Sequence, residues 1–153
     1  MESDPAFDLL VVDFGGVCTP THKEFLAGDA GSRPPDSIRP GAVAVVSAAQ
    51  DLGMIVAVLS NELDPAWAAD VPLLEMMDHV VSCTDNGILK PDRRAYERVL
   101  LLTGASAQRT LFVDDDPDNV VAAAAVGMQT IRFDPTAPDA SWDAVADRLG
   151  VVV

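Results

Sequence analysis

The chain is predicted to fold as an α/β protein, a three-layer structure with a doubly wound parallel sheet of about five strands between two layers of helices. Three observations predict it. Short runs of β-branched and aliphatic residues alternate strictly with longer segments whose apolar residues recur at helical spacing. Such alternation implies parallel strands joined by crossover helices on both faces of one sheet. Polar residues follow the strand-like runs directly, at the edge where open α/β sheets bind their ligands.

The elements follow in order. Leu9–Asp13 reads as the first strand, and Phe14-Gly15-Gly16-Val17 behind it as a turn in which paired glycines let the chain approach a ligand closely. From about Gly28 to Pro40 the chain is rich in Gly, Pro and Asp and lacks periodicity, so it reads as a loop. Ala42–Leu52 is helical and stops at Gly53, and Met54–Leu59 is a second strand ending in Ser60-Asn61. Pro65–Met77 has helical spacing interrupted by Pro72, which predicts two short pieces. His79–Ser82 is a third strand and Asp92–Leu102 a helix closed by Gly104. Thr110–Val113 is a fourth strand that enters Asp114-Asp115-Asp116; Pro117–Val126 is a helix ending at Gly127, and Met128–Phe133 is a fifth strand. Ser141–Leu149 is a final helix with Ser141 as its N-cap, and Val151-Val152-Val153 is either a tail or a short extra strand.

With 153 residues, 49% of them hydrophobic, the chain is expected to form one domain over 1–153, with a core from about 7 to 150 and a flap or loop over about 18–40. The formal charge is −14, from 24 acidic and 10 basic residues. Nucleic-acid binding needs a clustered basic surface, and Arg93, Arg94 and Arg98 form the single cluster, which reads as a solvated helix face. No apolar run reaches membrane-spanning length, and the acidic start Met1-Glu2-Ser3-Asp4-Pro5 lacks a signal peptide's basic region. Cys18 and Cys83 lack ligand or redox spacing, which points to a reducing cytoplasm.

Asp13, Ser60-Asn61, Lys90-Pro91 and Asp114-Asp115-Asp116 all fall at or just beyond strand ends, so the predicted sheet brings them to one crevice. Four aspartates there repel one another unless a cation sits among them. An all-oxygen site with few ligands suits Mg²⁺, which commonly joins one or two carboxylates to a substrate phosphate. Lys90 and the Ser60 hydroxyl suit the remaining phosphate oxygens, and in-line attack by a carboxylate would give an aspartyl-phosphate. Simpler readings exist for each residue alone. Asp116 and Asp118 are explained by capping the helix that starts at Pro117, Ser60-Asn61 by a turn, and Lys90 by a solvated lysine ahead of a helix. None explains Asp114 and Asp115 or the recurrence at successive strand ends, and Lys90 is one of only two lysines, with Lys23.

These residues resemble the four motifs of the haloacid dehalogenase-like superfamily, with Asp13-Phe14-Gly15-Gly16-Val17 as the first, Ser60-Asn61 the second, Lys90-Pro91 the third and Val113 to Asn119 the fourth. The resemblance runs from Asp13 to about Phe133 and implies a Rossmann-like core. It implies Asp13 as nucleophile and Mg²⁺ ligand, the Gly15 carbonyl as a second ligand and Asp115 as the principal carboxylate ligand, supported by Asp114. It further implies phosphate binding by Ser60, the Asn61 amide and Gly16, charge neutralisation beside Asp13 by Lys90, and orientation of Lys90 by Asn119.

The chain departs from the superfamily's phosphatases in two places. Their second aspartate, two residues after the nucleophile, protonates the leaving group; here that position is Gly15. General acid–base assistance is typically worth ~10²–10⁴-fold. The departure leaves three readings: a slow or otherwise assisted phosphatase, for which His22 is a candidate acid; a silent member that binds phosphate or a protein partner; and, less favoured, a dehalogenase. The second departure is the cap. Neither Cys18 to Pro40 nor Cys83 to Leu89 has room for a cap domain. An open mouth suits a bulky or macromolecular phosphorylated substrate, unless a second copy in a homo-oligomer covers it. Cys18 reads as a buried structural thiol, and Trp67, Trp142 and Tyr96 as packing residues on helices.

Overall fold

A computed structural model describes residues 6–20, 38–61, 63, 71–83 and 87–153. Most of the anticipated flap with His22 and Lys23, the first part of the Pro65–Met77 segment with Trp67, and part of the Cys83–Leu89 connection lie outside the described residues.

Five parallel strands form one sheet in the order β3-β2-β1-β4-β5. They are β1 (Leu9–Val12), β2 (Ile55–Ser60), β3 (His79–Ser82), β4 (Thr110–Asp114) and β5 (Gln129–Arg132). The helices are α1 (Pro40–Asp51), α2 (Pro72–Met76), α3 (Arg93–Thr103), α4 (Pro117–Val126) and α5 (Pro138–Leu149). Leu9 pairs in register with both Ile55 and Thr110, which makes β1 the central strand. All four β1 residues are buried, as a strand covered on both faces requires.

The strand period of two sorts these residues into two cores. Leu10 and Val12, with Val56, Val58, Leu111 and Val113, pack beneath α1, α2 and α5 through Val45, Val46, Leu73, Trp142 and Val145. Leu9 and Val11, with Ala57, Leu59 and Phe112, pack against α3 and α4 through Tyr96, Val99 and Ala123. The helix that follows β1 therefore lies on one face and the helix that follows β4 on the other. The chain path reverses between these adjacent strands, and a crevice opens at their carboxyl ends. Among the described residues no element lies outside the three layers, so no cap domain is present there.

Helix starts are where expectation and structure diverge. Pro40 and Pro138 occupy first-turn positions, so α1 begins before Ala42 and α5 before Ser141. Ser141 is not the N-cap of α5; that position belongs to Ala137, because the φ preset by Pro138 starts the helix three residues earlier. The Ser141 hydroxyl instead accepts the Asp134 N–H at 3.0 Å and bonds the Asp134 carbonyl at 3.1 Å, tying α5 to the end of β5. Likewise Pro72 starts a helical turn. Asp92 and Asp116 cap α3 and α4 by accepting the N–H groups of Arg94 and Asp118. The terminal valines belong to no strand.

Candidate active site

β1 ends at Val12, and the Asp13 N–H donates to the Val113 carbonyl at 3.0 Å, which fixes Asp13 beside the end of β4. Behind it the Phe14 carbonyl accepts from the N–H groups of Val17, Cys18 and Thr19, closing the turn. Two distant residues brace this turn. Trp142 Nε1 donates to the Val17 carbonyl at 3.1 Å, and Arg39 Nη2 donates to the Gly16 carbonyl at 3.3 Å. Gly16 has φ +85°, and a Cβ there would stand 2.6 Å from Asp115 Oδ2. The glycine thus supplies the left-handed turn and lets Asp115 approach the backbone.

Lys90 is the hub of the site. Its side chain is 1% exposed, and Nζ lies 2.9 Å from Asp13 Oδ1 and 2.8 Å from Asp114 Oδ2. The solvated-lysine reading therefore fails. The main chain of Lys90 is clamped from behind, since its N–H donates to Asn61 Oδ1 at 2.8 Å and Asn61 Nδ2 donates to its carbonyl at 3.0 Å. Asn61 thus spends its side-chain amide on placing Lys90. Asn119 reaches Lys90 indirectly, donating from Nδ2 to the same Asp114 Oδ2 at 3.0 Å. Tyr96 supports Asn119 by donating to its carbonyl at 3.0 Å, and the Phe112 ring lies 5.8 Å from Lys90 Nζ.

Asp114 is fully buried and has both carboxylate oxygens engaged, Oδ2 with Lys90 and Asn119 and Oδ1 with the Asp116 N–H at 2.9 Å. Asp13, Asp114 and Asp115 each offer an oxygen, and the three lie within 4.8 Å of one another. Three carboxylates against one ammonium leave an excess of negative charge in a poorly solvated place. Burial pushes the Asp13 carboxyl up to about 7, against the pull of Lys90. Burial and then Asp114 raise Asp115 as well. Burial alone would pull Lys90 down, but Asp13 and Asp114 outweigh it and hold the ammonium above its ordinary range. Burial pushes the Cys18 thiol far up, and its Sγ lies 3.4 Å from the Asp13 carbonyl, so it is an inert packing group.

This carboxylate set fits a small hard dication. Lys90 takes Oδ1 of Asp13, Asp115 is half-buried, and the Gly15 backbone lines the same cleft, so oxygen donors from two strand ends face one spot. The cleft has a volume of about 200 Å³; of the motif residues with an assigned role it lacks only Gly16 in its lining, Asp116 lines it too, and the candidate acid His22 lies outside the described residues. The structure thus gathers Asp13, Gly15, Ser60, Asn61, Lys90, Asp114, Asp115 and Asn119 in one place. The supporting groups Tyr96, Phe112, Arg39 and Trp142 carry no motif; the burial-prone residue types of the three aromatics marked them, and nothing in the sequence marked Arg39.

The model of the haloacid dehalogenase-like hydrolase family matches residues 26–127. Asp13 lies upstream of that match, so its place in the site comes from the β1–β4 pairing and its contact with Lys90. A sesquiterpene phosphatase of Aspergillus oryzae is 44% identical over 54 residues, 35% of this chain and 28% of that protein. The chain therefore spans well under a third of that relative's length. An uncharacterized protein of Corynebacterium glutamicum superposes with a TM-score of 0.73 over 96% of this chain and 98% of its own, at 21% identity. A HAD-family enzyme of Bacteroides thetaiotaomicron, an Asp-to-Ala variant in complex with magnesium and inorganic phosphate, does so with a TM-score of 0.68 over 84% and 95%, at 16% identity. Likeness at these identities carries the fold, and the family match carries descent over more than half the chain: it belongs to the haloacid dehalogenase-like hydrolases.

Proposed function

We propose that this hydrolase is a Mg²⁺-dependent phosphatase that works through an aspartyl-phosphate on Asp13. The observation that carries the reading is the pair of contacts from buried Lys90 to Asp13 and Asp114, which holds an ammonium against the carboxylate that follows β1 at the β1–β4 crevice. Asp13 attacks phosphorus, forming an O–P bond as the bond to the leaving group breaks, and water then releases phosphate and regenerates the carboxylate. Lys90 offsets charge on the transferring group and orients Asp13, while Asp114 and Asn119 hold Lys90 in place. Ser60, the main-chain N–H of Asn61 and the Gly16 turn bind phosphate oxygens. Asp13, Asp115 and the Gly15 carbonyl would hold Mg²⁺, which would supply the charge that lets an anionic nucleophile meet an anionic substrate.

The phosphatase and the magnesium–phosphate complex among the similar proteins support this reading. The lack of a cap domain among the described residues supports a bulky or macromolecular phosphorylated substrate, with a second copy of the chain as the alternative cover. The two reduced, buried cysteines support a cytoplasmic setting. Nucleic acid and membrane are not expected partners, given the charge of −14 and the lack of a membrane-spanning helix among the described residues.

A panel of phosphorylated compounds assayed with Mg²⁺ tests the proposal. Asp13→Asn should lower turnover by more than the ~10²–10⁴-fold typical of losing acid–base assistance alone. Equal rates for the two proteins would remove Asp13 as nucleophile. Gly15 favours one competing reading, a silent protein that binds phosphate or a partner; failure to hydrolyse any compound, together with tight phosphate binding, would select it.

A further inference from the structure

The two glycines of the first turn differ in what the fold asks of them. Gly16 is required, because its φ is +85° and a Cβ would meet Asp115. Gly15 is not: its φ lies outside the left-handed region, it is exposed, and a Cβ built there meets no atom within 4 Å. Packing explains Gly16 and leaves Gly15 to be explained by what enters the cleft. Resting on the phosphatase reading above, we infer that Gly15 makes the cleft selective for phosphoryl compounds whose leaving group departs as a stable anion. Acyl phosphates and the terminal phosphoryl group of diphosphates belong to this class, and simple alkyl phosphates do not.

The groups around the cleft carry the inference. As Asp13 bonds to phosphorus, the electron pair of the breaking P–O bond stays on the leaving oxygen. An alkyl ester would expel an alkoxide unless something protonates it; an acyl phosphate expels a carboxylate and a diphosphate expels a phosphate, both stable in water. Apart from the Ser60 hydroxyl, assigned above to phosphate oxygens, the cleft offers no donor to the leaving group among the described residues. The Lys90 ammonium points at Asp13 and Asp114. Asp116 turns its carboxylate to the Asp118 N–H to cap α4. Tyr96 spends its hydroxyl on the Asn119 carbonyl behind the site, and His79 stands at the amino-terminal end of β3, on the far side of the sheet from the cleft. Asn61 and Asn119 are amides, and a carboxylate that binds a cation has no proton to give.

The test compares kcat/KM for acetyl phosphate, inorganic diphosphate, 4-nitrophenyl phosphate and glycerol phosphate, with Mg²⁺ present. The native chain should favour the first three over glycerol phosphate by at least the ~10²–10⁴-fold that a general acid typically supplies. Whichever of acetyl phosphate and diphosphate is faster identifies the source of the good leaving group. Gly15→Asp should close most of that gap by raising the rate on glycerol phosphate, whereas Gly15→Asn, equal in size but without a transferable proton, should leave the ratio as in the native chain. Rates within tenfold of each other across the native series would overturn the inference while leaving the phosphatase reading intact. A gap that opens only on His22→Ala would overturn it too and identify the acid. If Gly15→Asp does not fold, the native series decides alone. Turnover that survives Asp13→Asn would undo the underlying reading instead.

Discussion

Replacing Lys90 by methionine removes the charge and keeps the stem. Nζ lies 2.9 Å and 2.8 Å from its two carboxylates, and at an effective dielectric of about 20 each contact is worth about 6 kcal/mol of Coulomb energy. Oxygens of Asp13 and Asp114 within 4.8 Å of each other return about 3–4 kcal/mol of that as repulsion. Desolvation takes several kcal/mol more per buried ion, so the intact triad is close to neutral for stability. Removing the ammonium abolishes both attractions and leaves the repulsion and the burial. The expected loss is about 3–5 kcal/mol, the usual result of taking one partner from a buried pair. Urea unfolding at pH 7.5 in EDTA reads this as a lower midpoint with an unchanged slope. For a chain of 153 residues the loss corresponds to a fall in Tm of about 6–20 °C. Mg²⁺ should recover part of it by placing a dication beside the same carboxylates. A loss below about 1 kcal/mol, or one insensitive to both Mg²⁺ and acid, would refute the electrostatic account of Lys90.

Two further outcomes follow from the same cluster. Burial pushes the Asp13 carboxyl up to about 7 in the folded, metal-free chain against 3.8 when unfolded, so its contribution to stability is present below 3.8 and is lost as pH rises through about 7. Thermal melts in EDTA should therefore show lower stability at pH 8 than at pH 5.5, and, without EDTA, Mg²⁺ fixed at 100 times its Kd at pH 8 should add about 2.7 kcal/mol at pH 8 and far less at pH 5.5. Gly16→Ala forces φ +85° on a residue with a Cβ and drives that atom into Asp115. It should cost about 1–3 kcal/mol in denaturant unfolding and, by calorimetric titration, weaken Mg²⁺ binding about tenfold or more.

The sheet was legible because its strands are runs of buried β-branched and aliphatic residues, and because each helix ends at a glycine or begins at a proline. Where two start signals compete, as Pro138 and Ser141 do, a reading by hydroxyl caps chooses the wrong one, since the proline ring has already set φ. The site residues were legible by type and order, since polar groups recur at strand ends. Their detailed roles were less so. Lys90 reads as solvated in its own sequence neighbourhood, and its burial depends on Asp13, 77 residues away, and Asp114, 24 residues away. Asn61 reads as a ligand for phosphate, yet its carboxamide grips the backbone of Lys90, 29 residues on. Such pairings are properties of the folded sheet edge, and local pattern carries no trace of them.

The fourth segment shows how that edge divides labour between like residues. Asp114 is the last residue of β4 and keeps the strand's alternation, so its side chain stays inside with Asn119 and Lys90 and is 0% exposed. Asp115 is one residue beyond, turned the other way and half-buried beside the Gly16 backbone. One carboxylate thereby fixes the site's resident ammonium, and in the proposed mechanism its neighbour would hold the incoming cation. Neither could serve both ends: an Asp114 drawn toward a metal would release Lys90 from Asp13, and an Asp115 turned inward would add a second buried charge against a single ammonium. The adjacent aspartates are therefore not redundant, and the same reasoning explains why Asn119, an acid's isostere without its charge, is the group that completes Asp114's coordination by protein donors.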